Sequence, residues 1–309
     1  MTNKNQYSPI ALFAFARPEL TRKVIEALRA NEEATSSELF VFCDGPRDNS
    51  SFEQRQKIEE TRALVHKTIG FGQLHIIESE TNIGLDKSVL KGVNHVLSKY
   101  DSVIVLEDDI IVSSGFLGYM NKALRIYAND DNVMNISAYW FPVEGSDKLP
   151  ASFFLSCGGN WGWATWERAW NKFDDNVLEV IQKVDSSEST RSLVSFDGHS
   201  SHYDQLLANR QAGYYTWDIF WHTSIILQKG LTLFPNRSLV NNIGMDGSGE
   251  HSEITNKYYW PELASDIEVV KQPPIPNEQA FRLLSGYFRL KPKYSVWSTL
   301  KNRLKFLPW

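Results

Sequence analysis

The length, composition and charge of the chain narrow the functions it could have. It has 309 residues, 42% of them hydrophobic, which is enough to bury the core of one large domain or two small ones. Its 32 basic and 37 acidic residues give a net charge of −5, which excludes a general binder of nucleic acids or other polyanions. Two cysteines, Cys43 and Cys157, cannot form a disulfide framework, and their apolar surroundings predict buried free thiols.

The amino-terminal residues predict a cytoplasmic protein. Residues 1–8 are polar and contain no signal-peptide core. The apolar run at residues 10–16 is too short to span a bilayer and ends at Arg17-Pro18. We find no later run that spans a bilayer either, so the only segment with a predicted membrane role is the carboxyl-terminal tail described below.

The first 130 residues alternate strand and helix patterns. The predicted strands are residues 9–16, 39–43, 74–78 and 103–106, and the predicted helices are 19–29, 52–68, 88–100 and 115–127. This alternation predicts an α/β fold with a largely parallel, doubly wound, Rossmann-like sheet. Such sheets bind ligands at the carboxyl ends of their strands. Polar groups follow each predicted strand: Arg17, Asp44, Asn82 and the triplet at 107–109.

After residue 130 the pattern is looser. Residues 133–137 and 153–156 are predicted strands, residues 202–210 and 221–229 are predicted helices, and residues 161–170 place four tryptophans around a helix start. Residues 239–251 are rich in Gly and Asn and predict a loop near the active site. Since no linker separates the halves, we expect residues 1–130 and 131–262 to form one globule, followed by a tail at 263–309.

The acidic triplet Glu107-Asp108-Asp109 is the most informative stretch. Exposed acidic turns usually lie among polar residues, whereas aliphatic residues flank this triplet on both sides. A divalent cation held between a carboxylate and a diphosphate offsets the charge that develops on a diphosphate leaving group. The triplet therefore indicates a metal site for Mn²⁺ or Mg²⁺. The alternative is that these acids cap the next helix or line a turn.

The strand, acidic triplet and second strand resemble the DXD-type signature of GT-A glycosyltransferases. The closest likeness is to the N-acetylglucosaminyltransferase I type and to bacterial polysaccharide glycosyltransferases, and it extends over residues 8–255. Residues 13–18, 42–45 and 82–87 look like the family's nucleotide-contacting segments. The resemblance implies a GT-A-like fold in which residues 1–130 bind a nucleotide diphosphate sugar, favouring a UDP-sugar, and residues 131–262 bind the acceptor.

The resemblance also assigns roles to individual residues. Asp109 is expected to hold the metal ion, and His251 is a second candidate ligand in the Gly- and Asn-rich loop. Glycine lets backbone approach a ligand and tryptophan offers a face for a sugar, although core packing is the alternative for each tryptophan. The expected nucleotide-sugar contacts are Arg17, Asp44, Lys87, Glu107 and Asp108, and the expected donor-sugar or acceptor contacts are Trp161, Gly162 and Trp163.

The resemblance points to the segment 215–221 as the source of the catalytic base, and Asp218 is the candidate. An inverting transferase needs a group that removes the proton from the acceptor hydroxyl. Asp218 is the only acid in the aromatic stretch 215–221, and such surroundings raise the pKa of a carboxylic acid by desolvation. The alternative is that Asp218 is the N-cap of the apolar helix that follows.

Two other functions compete with a transferase that moves a sugar, N-acetylglucosamine by resemblance, in the synthesis of cell-surface polysaccharide or glycolipid. A sugar-1-phosphate nucleotidyltransferase shares the architecture but has a Gly-rich loop after its first strand, where this chain has Phe-Ala-Arg-Pro-Glu-Leu at 15–20. A non-catalytic carbohydrate-binding protein would not need the triplet and Asp218.

The carboxyl-terminal tail is basic and aromatic. Apolar residues at 296, 297, 300, 304 and 307 recur at helical spacing, and six basic residues but no acid occupy 289–309. A basic amphipathic helix that contains tryptophan binds the headgroups of an anionic membrane. We therefore expect a peripheral position on the inner face of the cell membrane and a saccharide or lipid-linked saccharide acceptor. Packing of the helix on the globule or on a second subunit is the alternative.

Overall fold

A computed structural model describes residues 7–245 and 255–290 of the chain. Through the first half, strands and helices alternate as the sequence predicts, with boundaries that differ by a few residues. Among the described residues before β4, a 3₁₀ helix, Glu32–Ser36, is the only element that the sequence does not predict. The elements are β1 (Ile10–Ala14), α1 (Pro18–Arg29), β2 (Glu38–Cys43), α2 (Phe52–His66), β3 (Gln73–Glu78), α3 (Leu85–Leu97), β4 (Ser102–Glu107), β5 (Ile110–Val112) and α4 (Phe116–Ile126).

The second half contains more helices than the sequence predicts. Its helices α6 and α7 have no counterpart in the sequence pattern, and α9 begins four residues earlier than predicted, at Trp217. The elements are β6 (Val133–Ser137), β7 (Ser152–Leu155), β8 (Trp163–Trp166), α5 (Glu167–Trp170), α6 (Val177–Asp185), α7 (Glu188–Ser195), α8 (His202–Ala208), α9 (Trp217–Leu227), β9 (Leu231–Pro235), β10 (Val240–Asn242) and α10 (Glu278–Arg289).

One eight-stranded sheet runs through both halves, in the order β3-β2-β1-β4-β8-β6-β9-β7. Six strands point the same way, and only β8 and β7 are antiparallel to their neighbours. The prediction of an α/β fold with a largely parallel sheet is therefore confirmed. The architecture is compatible with a Rossmann-like fold.

Apolar side chains account for the position of the central strands. All five residues of β1 are buried, and β1 is paired on both sides, with β2 and β4. Helix α1 packs its buried residues Val24, Ile25 and Leu28 toward this core, and Pro18 begins the helix where no backbone donor is needed. Cys43 and Cys157 are buried free thiols, as predicted.

The strand register brings the predicted polar groups to one edge of the sheet. Glu107 at the end of β4 is opposite Phe13 in β1, and Ala14 is opposite Cys43 in β2. Cys43 is in turn opposite Glu78 in β3. The residues that follow these strands, 15–17, 44–46, 79–86 and 108–109, therefore lie along the same carboxyl edge.

The segment at 239–251 is not wholly a loop. Residues Val240–Asn242 form β10, which pairs with β5 in a second, two-stranded antiparallel sheet. The backbone N–H of Ile243 then donates to the carbonyl oxygen of Asp109 at 2.8 Å. The prediction missed this strand because its partner, β5, is distant in sequence and only three residues long.

The segment from 263 to 290, predicted as part of the tail, packs on the globule. Ala264, Ile267 and Val269 are buried in the main core. Helix α10 begins at the N-cap Asn277, whose side chain accepts the N–H of Ala280, and it buries Leu284. Burial of these side chains keeps the segment in place, and the basic residues at 291–309 lie outside the described part.

The apolar helices in the described part of the chain are short. The most apolar, α9, has 11 residues, whereas a span of the hydrocarbon core needs about 20. Within residues 7–245 and 255–290, none of the helices combines the length and hydrophobicity needed to cross a bilayer.

Candidate active site

The acidic triplet lies at the carboxyl end of β4, near the middle of the sheet. Glu107 is the last residue of β4, and Asp108 and Asp109 form the turn into β5. Asp108 is only 1% exposed and Asp109 is 7% exposed. Ionised carboxylates that are so little exposed need partners, because burying an unpaired charge costs several kcal/mol.

Arg17 supplies a partner from the end of the neighbouring strand. Its Nη1 atom donates to Oδ2 of Asp109 at 2.9 Å, and its Nη2 atom donates to Oδ1 of Asp108. The backbone N–H of Phe15 donates to the other oxygen of Asp108 at 3.0 Å. Ala16, between them, has a φ of 48°, in the left-handed region that residues other than glycine rarely adopt. The turn after β1 is thus held by the acids, and the nucleotide contact expected of Arg17 stays a prediction.

Charges in this cluster shift one another's pKa. Burial raises the pKa of Asp108 to about 6, although the Arg17 guanidinium opposes the shift. Burial, and then the charge of Asp109, raises the pKa of Glu107 well above its usual range. Burial by itself would lower the pKa of Arg17, but the two aspartates outweigh it and raise that pKa. The cluster holds more negative than positive charge, so it favours an added cation.

One carboxylate oxygen of Asp109 lacks a partner in the part of the chain that the structure describes. Its Oδ1 atom is buried and has no hydrogen-bond partner among the described residues. Gly244 lies against the same carboxylate, where a Cβ atom would be 2.3 Å from Oδ2. A glycine is therefore required here, and the buried Oδ1 atom fits a cation as its missing partner.

The residues around Asp109 fit a metal ion that is shared with a ligand. In the described part of the chain, no group of three or more His, Cys, Asp and Glu side chains could hold a metal ion by itself. Mg²⁺ is usually bound by one or two carboxylates and takes its other ligands from phosphate oxygens and water. Asp109 fits that arrangement. The second predicted ligand, His251, lies outside the described residues.

Asp44 holds the loop that leads into α3. Its Oδ1 atom accepts the N–H groups of Gly45 and Ile83 at 2.8 and 2.9 Å. Its Oδ2 atom accepts the N–H of Gly84 at 3.0 Å and the side-chain amide of Asn82 at 2.9 Å. Four donors occupy the acceptor positions of a carboxylate. Asp44 therefore positions the loop 82–84, and the nucleotide contact expected of its carboxylate stays a prediction.

Lys87 lies where this loop leads into α3. The loop ends at Gly84, whose φ of 82° suits glycine, and α3 begins at Leu85. Lys87 is exposed in the first turn of α3, on the same edge as the triplet. A flexible lysine in this position is suited to contact a phosphate group. The nucleotide-sugar contact expected of Lys87 therefore stays a prediction.

Asp218 is the second residue of α9, and it is not the N-cap. The N-cap is Thr216, so the alternative role considered for Asp218 is wrong. Burial raises the pKa of Asp218 to about 6, and the charge of Asp86 adds to the shift. The charge of Asp218 also contributes to the raised pKa of Glu107. Asp218 and the triplet therefore belong to one electrostatic site, although 108 and 218 are far apart in sequence.

Trp163 is a core residue and not a sugar platform. Its side chain is 1% exposed, and its ring stacks on that of Trp217 with centroids 5.3 Å apart. Trp170 and Trp221 contact it at 5.7 and 6.2 Å. The expected sugar contact is thus corrected: Trp163 supports the first turn of α9, which bears Asp218.

Trp161 and Gly162 precede this core residue at the same edge. The ring of Trp161 is only partly buried, with Tyr139 and Tyr258 packed against it at 4.7 and 5.8 Å. Gly162 has a φ of 61°, and a Cβ atom there would lie 2.9 Å from Val240. Gly162 is therefore needed for packing, and Trp161 keeps part of its ring available to a ligand.

Two polar residues beside Asp218 were not among the predicted site residues. Asp86 accepts the backbone N–H of Trp217 at 2.9 Å. Asn160 donates a long hydrogen bond to the carbonyl oxygen of Asp218 at 3.5 Å, while its own buried Oδ1 atom has no partner among the described residues. Asp86 lies in the segment 82–87, which looks like a nucleotide-contacting segment, and Asn160 lies beside Trp161. The residues around them in sequence do not mark either one as part of the site.

Comparisons of the sequence with protein families and with curated proteins identified no relative. No protein-family model matches the chain, and no curated protein matches its sequence significantly. The class of protein must therefore be argued from the site itself.

Proposed function

We propose that this chain is a metal-dependent, inverting glycosyltransferase with a GT-A-like fold. Its donor is a nucleotide diphosphate sugar, with UDP-N-acetylglucosamine favoured by the sequence resemblance, and its acceptor is a saccharide or a lipid-linked saccharide. One observation carries the proposal. The Asp109 oxygen that has no partner among the described residues lies at the carboxyl end of a central strand, in the same charged site as Asp218.

Asp218 has the properties of the base in this reaction. The acceptor oxygen attacks the anomeric carbon while the bond from that carbon to the diphosphate breaks, and the bonding electrons leave with the diphosphate. Asp218 takes the proton of the attacking hydroxyl. With a pKa of about 6, it is mostly ionised at neutral pH and is a stronger base than an ordinary aspartate.

The donor side depends on Asp109 and Arg17. Asp109 would hold Mn²⁺ or Mg²⁺ together with the diphosphate, and the bound metal supplies Lewis-acid stabilisation of the leaving group. Arg17 is oriented by Asp108 and Asp109 and lies at the same edge, where a guanidinium suits phosphate oxygens. Lys87 adds a mobile positive charge in the first turn of α3.

The proposal is tested by the products that the protein forms. With Mn²⁺ and a nucleotide sugar but no acceptor, we expect slow release of nucleoside diphosphate, and faster release with a saccharide acceptor. A nucleotidyltransferase would instead form pyrophosphate from a nucleoside triphosphate and a sugar-1-phosphate. A carbohydrate-binding protein would form neither product, and either result would contradict the proposal.

The donor can be identified by thermal unfolding with a panel of nucleotide sugars. A ligand at 100 times its Kd adds about 2.7 kcal/mol to the free energy of unfolding. We expect the largest shift with a UDP-sugar, and only when Mn²⁺ is present. Asp101, an exposed acid that precedes β4 at the opposite edge of the sheet, provides a matched control, because Asp101→Asn changes charge away from the site.

A further inference from the structure

One side-chain contact joins the two helices that begin at the site. Asp86, in the first turn of α3, accepts the N–H of Trp217, the first residue of α9. This N–H is among those that a helix leaves without an internal partner. The N-cap Thr216 makes no side-chain cap bond, and its hydroxyl accepts from Asn209 at 3.2 Å. Asp86 thus caps α9 from another part of the chain.

The helix that carries Asp86 is itself tied to the donor side. Asp44 at the end of β2 accepts the N–H groups of Ile83 and Gly84, the two residues that precede α3. A continuous series of hydrogen bonds and covalent segments therefore leads from the end of β2, through α3, to the first turn of α9. Asp218 is the next residue after the capped one.

We propose that Asp86 is a positioning residue. It fixes the first turn of α9 and thereby keeps the carboxylate of Asp218 in a constant position relative to the donor side of the site. This inference rests on the function proposed above. The contact is specific because Asp86 and Trp217 are 131 positions apart and no other residue of α3 has a hydrogen bond to α9 in the described part of the chain. The ring of Trp217, stacked on Trp163, holds the same turn from the core side.

The charge of Asp86 acts on Asp218 as well. Asp218 is faced by the carboxylates of Asp86 on α3 and Glu107 on β4, and by the phenol of Tyr215 just before α9. The backbone N–H groups of Asp218 and Ile219 donate to its carboxylate and oppose the like charges. Removing the charge of Asp86 should therefore lower the pKa of Asp218.

Two substitutions separate the hydrogen bond from the charge. Asp86→Asn keeps an oxygen that can accept the N–H of Trp217, so we expect kcat at pH 8 to stay within about threefold of the wild type. Because the charge is removed, we expect the acidic limb of the plot of kcat against pH to move to lower pH. Asp86→Ala removes the acceptor, and we expect kcat to fall at least about tenfold with the donor KM unchanged. Asp101→Asn should show neither effect. A rise in donor KM with unchanged kcat in Asp86→Ala would overturn the positioning role.

A second readout is independent of turnover. The side-chain carboxyl carbon of Asp218 can be titrated by NMR in protein labelled at aspartate and assigned by its loss in Asp218→Asn. We expect its pKa to fall in Asp86→Asn, and an unchanged pKa would overturn the inference. If the wild type turns over no nucleotide sugar, the proposed function fails, while this titration still tests the effect of Asp86. Asp86→Asn retains the capping oxygen, so the test remains valid should Asp86→Ala fail to fold.

Discussion

Asp109 is the side chain on which the metal hypothesis depends. Asp109→Asn keeps an oxygen that can accept from Arg17, but it removes the charge that a divalent cation needs. We expect the variant to fold, to bind nucleotide weakly in the presence of Mn²⁺ and to lose nearly all transfer. Transfer assays and thermal unfolding measure both properties. Transfer within about tenfold of the wild type, or wild-type activity that resists EDTA, would show that Asp109 is not the metal ligand.

Asp218 can be tested separately from the donor site. Asp218→Asn should lower kcat by about 10² to 10⁴, the usual contribution of a general base, and should leave donor affinity normal. The pH profile gives a second check, because a base with a pKa of about 6 is lost as pH falls below that value. The wild-type kcat should then fall about tenfold per pH unit.

Two results would exclude Asp218 as the base. One is near-normal turnover by Asp218→Asn, and the other is a product with retained anomeric configuration, because inversion is the course that requires this base. If Asp218→Asn failed to bind donor, the side chain would instead have a structural role in the first turn of α9.

The residues of the site differ in how far the sequence reveals them. The triplet was predictable because a run of buried aliphatic residues delivers three acids to a strand end. Asp44 was also found, but its saturation by four donors depends on the loop at 82–84, which only the fold brings to it. The contact between Asp86 and Trp217 was not predictable, because it joins two helices from different halves.

At the scale of elements, a stacked pair of histidines joins α8 and α9. The rings of His202 and His222 are 4.7 Å apart. The N–H of Gly158 donates to Nδ1 of His222 at 3.1 Å, so that nitrogen is unprotonated. Burial lowers the pKa of His202 to about 4, and burial also lowers the pKa of His222. Protonating either ring would therefore destabilise the contact between the helices.

This pair predicts a loss of stability in acid. Between pH 6.5 and about 4, the unfolded chain binds a proton at residue 202 and the folded chain does not, so the free energy of unfolding falls as pH decreases. His202→Phe keeps an aromatic ring but cannot titrate. Relative to this variant, the wild type should lose about 1.4 kcal/mol per pH unit in that window. Equal slopes in urea unfolding would contradict the prediction.

The tail beyond α10 gives a prediction about membranes. Each basic residue near an anionic surface adds about 1 kcal/mol of binding. We expect the full chain to float with anionic liposomes at low salt. A chain that ends at residue 290 should stay in the bottom fraction of the gradient, without the liposomes. The shorter chain keeps α10 complete, so its fold should be unchanged. Equal flotation of both chains, or flotation of neither, would exclude a membrane role for the tail.

The strands that could be predicted are those with a strong local pattern of apolar residues. Strands such as β1 and β4 are continuous apolar runs buried on both faces, so their sequences identify them. In contrast, α7 is short and polar, and only Val194 and Ser195 of its eight residues are buried. The start of α9 was placed late because its cap comes from Asp86 and not from a neighbouring residue. Tertiary contacts, which the sequence does not display, set these boundaries.

At the scale of the whole molecule, the sheet is shared by the two halves. Strand β4 of the first half pairs with β8 of the second, with Val103 opposite Thr165 and Ile104 opposite Ala164. Thr165 and Ala164 are fully buried. Neither half can therefore close its core without the other.

This continuity predicts that the halves do not fold alone. A fragment of residues 1–130 would expose the edge of β4, and a fragment of residues 131–309 would expose β8, and unpaired edges of this kind promote aggregation. We expect each fragment alone to lack cooperative thermal unfolding by circular dichroism. Co-expression of both should restore a soluble complex. A cooperative transition in an isolated fragment would contradict the prediction.

The reversed strand β8 also constrains how such a chain can diverge. Because β8 lies between β4 and β6, a recombination event near residue 130 would join a β4 and a β8 that had not been selected together. Their facing side chains are buried, so most chimaeras of this kind would be eliminated. Variation can accumulate instead in the partly or fully exposed residues of the segments that leave β6 and β9 at the carboxyl edge, 141–145 and 236–237. New specificities in a lineage of such proteins should therefore arise through insertions and substitutions there, and not through the exchange of halves.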